Sequence, residues 1–128
     1  MTDDMQGSLF RQIILSEEQL QAGLMESGDD VPTPQEAIAM TSVRAMDLRD
    51  MAGISFQETF DDLDEGYFAI LEFASFYVTL KDYFGSPLKG TRICTDPKGQ
   101  RSRIRLETIL QALRLSHDQL TWTVEGLE

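Results

Sequence analysis

The sequence predicts an α+β fold: a predominantly α-helical single domain spanning residues 1–128, with a C-terminal β-hairpin and room for one further short strand. Three observations support this prediction. Helix start signals recur through residues 16–58, and an almost unbroken apolar and aromatic segment follows at residues 67–84. Two short alternating segments then flank a Pro/Gly turn within residues 91–105, which is the pattern of a β-hairpin.

The first half of the chain carries three helix start signals. Ser16-Glu17-Glu18-Gln19 and Ser55-Phe56-Gln57-Glu58 have the spacing of a capping box, in which a serine oxygen accepts a hydrogen bond from a main-chain amide. Thr33-Pro34 places proline at a first helical position, where no amide is left unpaired. We therefore expect helices after each signal, the second running to about Ala52 with Gly53 as its left-handed cap.

The segment from Tyr67 to Phe84 holds seven of the eleven aromatic residues of the chain and is predicted to be a helix. A helix that is apolar nearly all round must be covered on most sides, so it is interpreted as the central core helix. Part of it is also expected to contact a second chain, because tyrosine and phenylalanine are enriched at interfaces. The residues expected to face that partner are Tyr67, Phe73, Tyr77 and Tyr83.

The predicted hairpin, at residues 88–105, is basic. Arg101, Arg103 and Arg105 alternate, so on a strand all three lie on one face, where their guanidinium groups suit carboxylate or phosphate. Three interpretations stay open. They are a solvated edge strand whose charges prevent aggregation, pairing with the acidic part of this chain or of a dimer, and contact with nucleic acid or another anion.

Charge divides the chain into three parts, which sum to the net charge of −11. The acidic helical part, residues 1–85, has 17 acidic and 4 basic side chains, whereas residues 86–105 have 6 basic and 1 acidic. The C-terminal helix and strand, residues 106–128, are mildly acidic again, with 4 acidic side chains and 1 basic. A net charge this negative argues against a protein that binds duplex DNA, because phosphate attraction needs a basic surface.

The sequence shows no recognisable arrangement of catalytic or ligand-binding residues, and carboxylates are too abundant for any pair to be informative, so no catalytic, metal or cofactor site is predicted. His117 is the only histidine and Cys94 the only cysteine, and no zinc spacing or phosphate-binding glycine loop is present. Residues 61–66 are spaced like a calcium loop, but Leu63 occupies a ligand position and cannot coordinate calcium. A single cysteine, the absence of a signal peptide and the absence of a spanning apolar run favour a cytoplasmic protein with no membrane contact.

Residues 106–120 read as a helix, a tight turn and a capped turn, and they resemble the closing helices of phage-repressor-type helix-turn-helix domains. Residues 47–55 are similar to the opening turn of the same family. The resemblance implies a DNA-binding domain, but the family's recognition helix precedes the first stretch, where this sequence predicts a hairpin. The generic reading of helix and turns, followed by a strand at Leu120–Val124, is therefore preferred.

These features predict a small acidic protein–protein interaction module without catalytic activity, such as an adaptor, an assembly chaperone or a regulatory subunit. Its partner is expected to be a protein with a basic surface, and a homodimer is a further expectation because opposite charges lie on one chain. Two alternatives stay open. One is an acidic, immunity-type inhibitor that uses Asp61, Asp62, Asp64 and Glu65, and the other is a transcriptional or nucleic-acid regulator that uses the basic hairpin.

Overall fold

A computed structural model of the chain describes residues 10–16, 18, 36–60, 65–85, 89–96 and 102–128. These residues form an antiparallel sheet and two short helices. The strands are β1 (Arg11–Ile13), β2 (Glu36–Thr41), β3 (Gln57–Phe60), β4 (Glu65–Glu72), β5 (Tyr77–Tyr83), β6 (Thr91–Thr95) and β7 (Leu120–Thr123). The helices are α1 (Ala45–Ala52) and α2 (Arg103–Leu113), and a 3-10 turn covers His117–Gln119.

The predominantly helical fold that the sequence predicts is wrong, because the aromatic segment is a β-hairpin. Its two arms are β4 and β5, which pair from Gly66 with Tyr83 to Glu72 with Tyr77. The run from Phe68 to Leu71 is buried at every position, since β4 has side chains packed on both faces of the sheet. A strand buried on both faces shows the same continuous apolar pattern as a buried helix, and this explains the error.

Two further predicted helices are strands in whole or in part. The helix expected from Thr33 to Ala52 is divided, because Glu36–Thr41 forms β2 and α1 begins only at Ala45. Its end is confirmed: Gly53 has a φ of 71°, and its N–H donates to the Arg49 carbonyl at 3.0 Å. The capping-box sequence at residues 55–58 leads into β3 instead of a helix.

The predicted C-terminal hairpin is half wrong. Its first arm is confirmed as β6, but the second arm forms the beginning of α2. Ser102 caps this helix, because its Oγ accepts a hydrogen bond from the Arg105 N–H at 3.1 Å. The capped turn at Ser116 and the last strand are confirmed. The helix expected over residues 16–27, apart from residues 16 and 18, and the linker 28–32 lie outside the described residues.

The sheet has the order β1–β4–β5–β6–β2–β7, with β3 also paired to β4. Strands β3 and β1 lie along the same side of β4, where Gln57 is opposite Phe68 and Ile13 is opposite Ile70. The Gln57 side chain links these two strands, because it accepts from the Leu15 N–H at 2.9 Å and donates to the Leu15 carbonyl at 3.0 Å.

Both helices pack on one face of the sheet, which we call the helix-covered face. Its main core cluster joins strand residues to Leu48 of α1 and to one stripe of α2. The fully or almost fully buried members of the strands and α2 are Ile38, Ala39, Ala69, Leu71, Val78, Leu80, Ile93, Leu106, Ile109, Leu110 and Leu113. Burial of this apolar surface stabilises the fold at about 25 cal/mol per Å².

The other side of the sheet, which we call the opposite face, has a smaller buried cluster. Phe68 and Ile70 are fully buried there and pack with Leu15. The next strands contribute Thr79 and Cys94, which are opposite each other in the β5–β6 ladder and are 0% and 2% exposed. Among the described side chains, the Thr79 hydroxyl is the buried polar group that has no hydrogen-bond partner.

Replacement of Thr79 by valine is expected to raise the free energy of unfolding by about 1 kcal/mol. Valine has the same shape and removes a hydroxyl whose burial without a partner costs about 1–3 kcal/mol. Urea denaturation measures the change. The matched control is Thr91→Val, because the buried Thr91 hydroxyl donates to the Val43 carbonyl at 2.7 Å and its loss destabilises. Equal effects of the two substitutions would contradict this account.

Candidate functional site

The four aromatic residues expected to face a partner lie in three different environments. Tyr67 is on the helix-covered face and is half-buried, whereas Tyr77 and Tyr83 point to the opposite face. Phe73 lies in the core at the turn between β4 and β5, where it is 5% exposed. Side chains on a strand point alternately to its two faces, and this alternation separates the four residues. On a helix they would lie around a single axis.

Phe73 belongs to a stack of side chains. Its ring lies parallel to that of Phe76, with centroids 4.8 Å apart, and is tilted against Phe10 at 5.7 Å. The guanidinium carbon of Arg105 lies 4.6 Å from the Phe76 ring centroid and completes the stack. Phe73 therefore stabilises the fold, and the surface proposed below does not include it.

Tyr77 takes part in an ion-pair cluster at the β1 edge. Its hydroxyl donates to Glu72 Oε2 at 3.2 Å, and Arg11 Nε donates to Glu72 Oε1 at 2.8 Å. The hydrogen bond from Arg11 lowers the pKa of Glu72, and the bond to Glu72 raises the pKa of Tyr77. All three groups satisfy one another on the surface of the sheet.

The predicted row of three arginines does not exist among the described residues. Arg103 and Arg105 lie in the first turn of α2, two positions apart, so they project in different directions. Arg103 Nη2 donates to the Leu127 carbonyl at 3.4 Å, and Arg105 Nη1 donates to Asp96 Oδ1 at 3.1 Å. Arg105 is thus paired within its own chain, and Arg101 lies outside the described residues.

An aromatic pair lies at the end of the helix-covered face. The Tyr67 and Phe84 rings meet edge to face, with centroids 5.0 Å apart and an interplanar angle of 78°. Phe84 is 40% exposed, and it is one of four large apolar residues in the described chain that keep this much surface. The pair therefore presents a fixed aromatic edge to the exterior.

Carboxylates flank this aromatic pair. Glu58 of β3 is exposed and lies directly opposite Tyr67 in the β3–β4 ladder. Glu65 is also exposed, and its carbonyl accepts a hydrogen bond from the Phe84 N–H at 2.9 Å. Glu58, Glu65, Tyr67 and Phe84 together form a surface that we call the acidic corner.

A buried ion pair fixes the acidic corner to α1. Asp82 is opposite Tyr67 in the β4–β5 ladder and is 2% exposed. It accepts hydrogen bonds from Arg44 Nε and Nη2 and from the Ala45 N–H, each at 2.9 Å. The hydrogen bonds between Arg44 and Asp82 raise the pKa of Arg44, and the charge of Asp47 adds a smaller contribution. Asp82 therefore caps α1 in place of a local serine or threonine.

The single cysteine and the single histidine of the chain lie apart in different environments. Burial raises the pKa of the Cys94 thiol, and the positive charges of Lys81 and Arg92 offset this rise only in part. His117 Nε2 lies 2.8 Å from Glu107 Oε2, in an exposed pair on the surface. No group of three or more His, Cys, Asp or Glu side chains in the described part of the chain could hold a metal ion.

Sequence reasoning missed three residues that the structure singles out. Phe84 is the last residue of the predicted aromatic segment, and nothing in the sequence pattern distinguishes it from the other aromatic residues. Glu58 was assigned to a helix start, and its position beside Tyr67 depends on strand pairing. Trp122 is the single tryptophan of the chain and is 49% exposed. It lies on a strand that the sequence predicts, so its secondary structure could be found from local residues.

Comparison of the chain with models of known protein families, with curated proteins and with solved structures found no match. The helix-turn-helix resemblance of residues 106–120 is not supported by the fold, because α2 and the 3-10 turn lead directly into β7 of the sheet. None of the described helices is long and apolar enough to span a membrane.

Proposed function

We propose that this chain is a non-catalytic protein-interaction module of the cytoplasm, an adaptor or regulatory subunit, that binds a basic protein surface through its acidic corner. The observation that carries the proposal is the half-exposed Phe84, held edge to face on Tyr67, with Glu58 opposite Tyr67 in the β3–β4 ladder and Glu65 two positions before Tyr67 on β4. Aromatic side chains supply much of the binding energy at protein interfaces. Carboxylates around them select a partner with positive charge.

The aromatic pair is suited to be the anchor of the interface. A partner's lysine or arginine side chain would pack its alkyl part on the Phe84 ring and place its charge near Glu58 or Glu65. The geometry needs little rearrangement, because Tyr67 lies on a central strand and the neighbouring Asp82 is fixed by three hydrogen bonds. Such preorganisation lowers the conformational entropy lost on binding.

The overall charge favours the same class of partner. A chain with a net charge of −11 attracts basic surfaces over a distance of about one Debye length and repels acidic ones. Steering of this kind raises the association rate and depends strongly on salt. An acidic inhibitor of a basic enzyme would use the same surface. Of the four residues predicted for that role, the structure describes Glu65.

Phe84→Ala is expected to weaken binding to the natural partner about 30-fold, which corresponds to the ~2 kcal/mol of an aromatic hot spot. The partner is first captured from native lysate on the immobilised wild-type protein at low salt and identified by mass spectrometry. Its affinity for purified variants is then measured by fluorescence titration. Glu58→Lys is expected to slow association and to flatten the salt dependence.

Matched controls separate this surface from general stickiness and net charge. Ile104→Ala removes from α2 the large apolar side chain that is most exposed in the described part of the chain, at 79%, and Glu125→Lys reverses an exposed charge beyond β7. Both variants are expected to bind as the wild type does. The proposal fails if Phe84→Ala and Glu58→Lys keep wild-type affinity while remaining folded by circular dichroism, or if the two controls lose as much affinity.

A further inference from the structure

A second surface lies on the opposite face of the sheet and carries the reverse charge. Arg92 of β6 is exposed, and its guanidinium carbon is 5.6 Å from the centroid of the Tyr83 ring. Met40 of β2 is opposite both Arg92 and Trp122, so the three side chains form one row across β6, β2 and β7. Tyr83 of β5 extends this row through its contact with Arg92. We call the three more accessible members, Tyr83, Arg92 and Trp122, the basic aromatic row.

The dimensions of this row suit an extended ligand. Neighbouring strands are about 4.8 Å apart, so the Cα atoms of Arg92 and Trp122, two strands apart, are separated by about 10 Å. Met40 is 7% exposed and forms the floor between them, whereas Trp122 is 49% exposed. A ligand lying across the strands therefore meets a cation at one end and an indole ring at the other.

The two arginines stacked on aromatic rings differ in how their hydrogen bonds are used. Arg105, over Phe76, donates to Thr95 and Asp96 and is 20% exposed as a side chain. Arg92, over Tyr83, has no carboxylate within ion-pairing distance among the described residues. The Tyr83 ring lies beside an exposed Arg92 guanidinium group, and an exposed guanidinium group can bind a carboxylate through two parallel hydrogen bonds.

We infer that the basic aromatic row binds an acidic segment of a second protein, with Arg92 pairing a carboxylate and Trp122 and Tyr83 packing on the neighbouring side chains. Arginine, tyrosine and tryptophan are the residue types enriched at binding hot spots. A nucleic acid is the weaker match, because it brings one charge with each nucleotide to a molecule of net charge −11. A short acidic peptide brings fewer charges than an oligonucleotide that spans the sheet, and Arg92 pairs one of its carboxylates directly.

This surface is independent of the acidic corner, since the two lie on opposite faces of the sheet. Tyr83 and Phe84 are consecutive residues whose side chains point to different faces, and each contributes to one surface. A chain with two surfaces of opposite charge can hold a basic and an acidic partner at the same time. The inference thus extends the adaptor proposal, and its test uses different residues.

Trp122 is the only tryptophan of the chain, so its fluorescence reports on the row directly. The probe is a synthetic capped peptide that alternates glutamate and leucine over five residues, added to the full-length protein at low salt. We expect a saturable change in Trp122 emission that weakens as salt is added. The same peptide with glutamine in place of glutamate is expected to cause no change.

Variants then assign the contact. Arg92→Ala is expected to weaken peptide binding about tenfold or more, whereas Arg49→Ala, which removes an exposed arginine from α1, leaves it within twofold of wild type. Trp122→Ala, followed by anisotropy of a labelled peptide, is expected to weaken binding by a similar factor to Arg92→Ala. Phe84→Ala and Glu58→Lys are expected to keep full peptide affinity, so failure of one surface does not imply failure of the other.

Three results would overturn the inference. The first is the absence of saturable binding by the glutamate peptide at millimolar concentration. The second is equal affinity of Arg92→Ala and wild type, with both folded by circular dichroism. The third is tighter binding of an eight-nucleotide oligothymidylate than of the peptide, with loss in Arg92→Ala, which would assign the row to single-stranded nucleic acid instead.

Discussion

Replacement of Asp82 by alanine is expected to lower the free energy of unfolding by about 3 kcal/mol. The carboxylate is 2% exposed and accepts three hydrogen bonds, two from Arg44 and one from the Ala45 N–H. Its removal leaves the first amide of α1 without a partner and separates that helix from β5. Urea denaturation followed by circular dichroism measures the change, because the sheet and both helices contribute to the signal.

Two substitutions test whether the loss comes from these hydrogen bonds. Asp82→Asn keeps one carbonyl oxygen as an acceptor and is expected to cost less than alanine. Asp50→Ala removes the partner of Arg49 in an exposed pair, 70% exposed at the aspartate, and is expected to change stability by less than about 0.5 kcal/mol. Similar losses in Asp82→Ala and Asp50→Ala would show that the buried pair does not fix α1 to the sheet.

The same pair shows why the acidic corner could not be predicted from the sequence. Arg44 and Asp82 are 38 positions apart in the chain, and neither has a local pattern that indicates the other. The position of Glu58 beside Tyr67 likewise depends on pairing between β3 and β4. The sequence indicates Tyr67 only through its residue type, since the residues around it come from three separate segments.

The elements that local signals determine were predicted, and those that depend on distant contacts were not. The Gly53 cap, the β6 alternation and the turn at Ser116 each follow from a few neighbouring residues, and all three are confirmed. Strand β2 has the opposite character. Its sequence Ala37–Met40 favours a helix by propensity, but it lies between β6 and β7, and the packing of the sheet overrides that preference.

The charge pattern of the sequence predicts an acidic and a basic region, and the fold changes which residues form the basic one. The arginines of residues 101–105 were expected to form the basic surface, but Arg105 is paired with Asp96 and stacked on Phe76. Arg92, in contrast, lies on β6 and is exposed on the opposite face, beside Tyr83. Sequence thus indicates the signs of the charges, whereas strand register determines which of them can reach a partner.

Replacement of Gly90 by alanine is expected to lower the free energy of unfolding by about 4 kcal/mol, the largest effect of a single substitution that we expect. Gly90 directly precedes β6 and has a φ of 138°, which side-chain-bearing residues rarely adopt. An ideal Cβ at this position would lie 2.0 Å from the Thr41 carbonyl oxygen. The main chain of β2 would have to move away from β6 to make room.

Gly53→Ala is the comparison variant, because Gly53 also has a positive φ but makes no close contact. Its φ of 71° lies in the left-handed region, which a side-chain-bearing residue adopts at a cost of about 1 kcal/mol, and an added Cβ would meet no atom of a neighbouring element within 4 Å. The difference of about 3 kcal/mol between the two variants then reports the close approach of Gly90 to Thr41 together with the less favourable φ at Gly90. If both substitutions cost about the same in denaturant titrations, the approach of Gly90 to Thr41 does not constrain the sheet. In that case the register that aligns Arg92 with Met40 and Trp122 must be maintained by the strand side chains themselves.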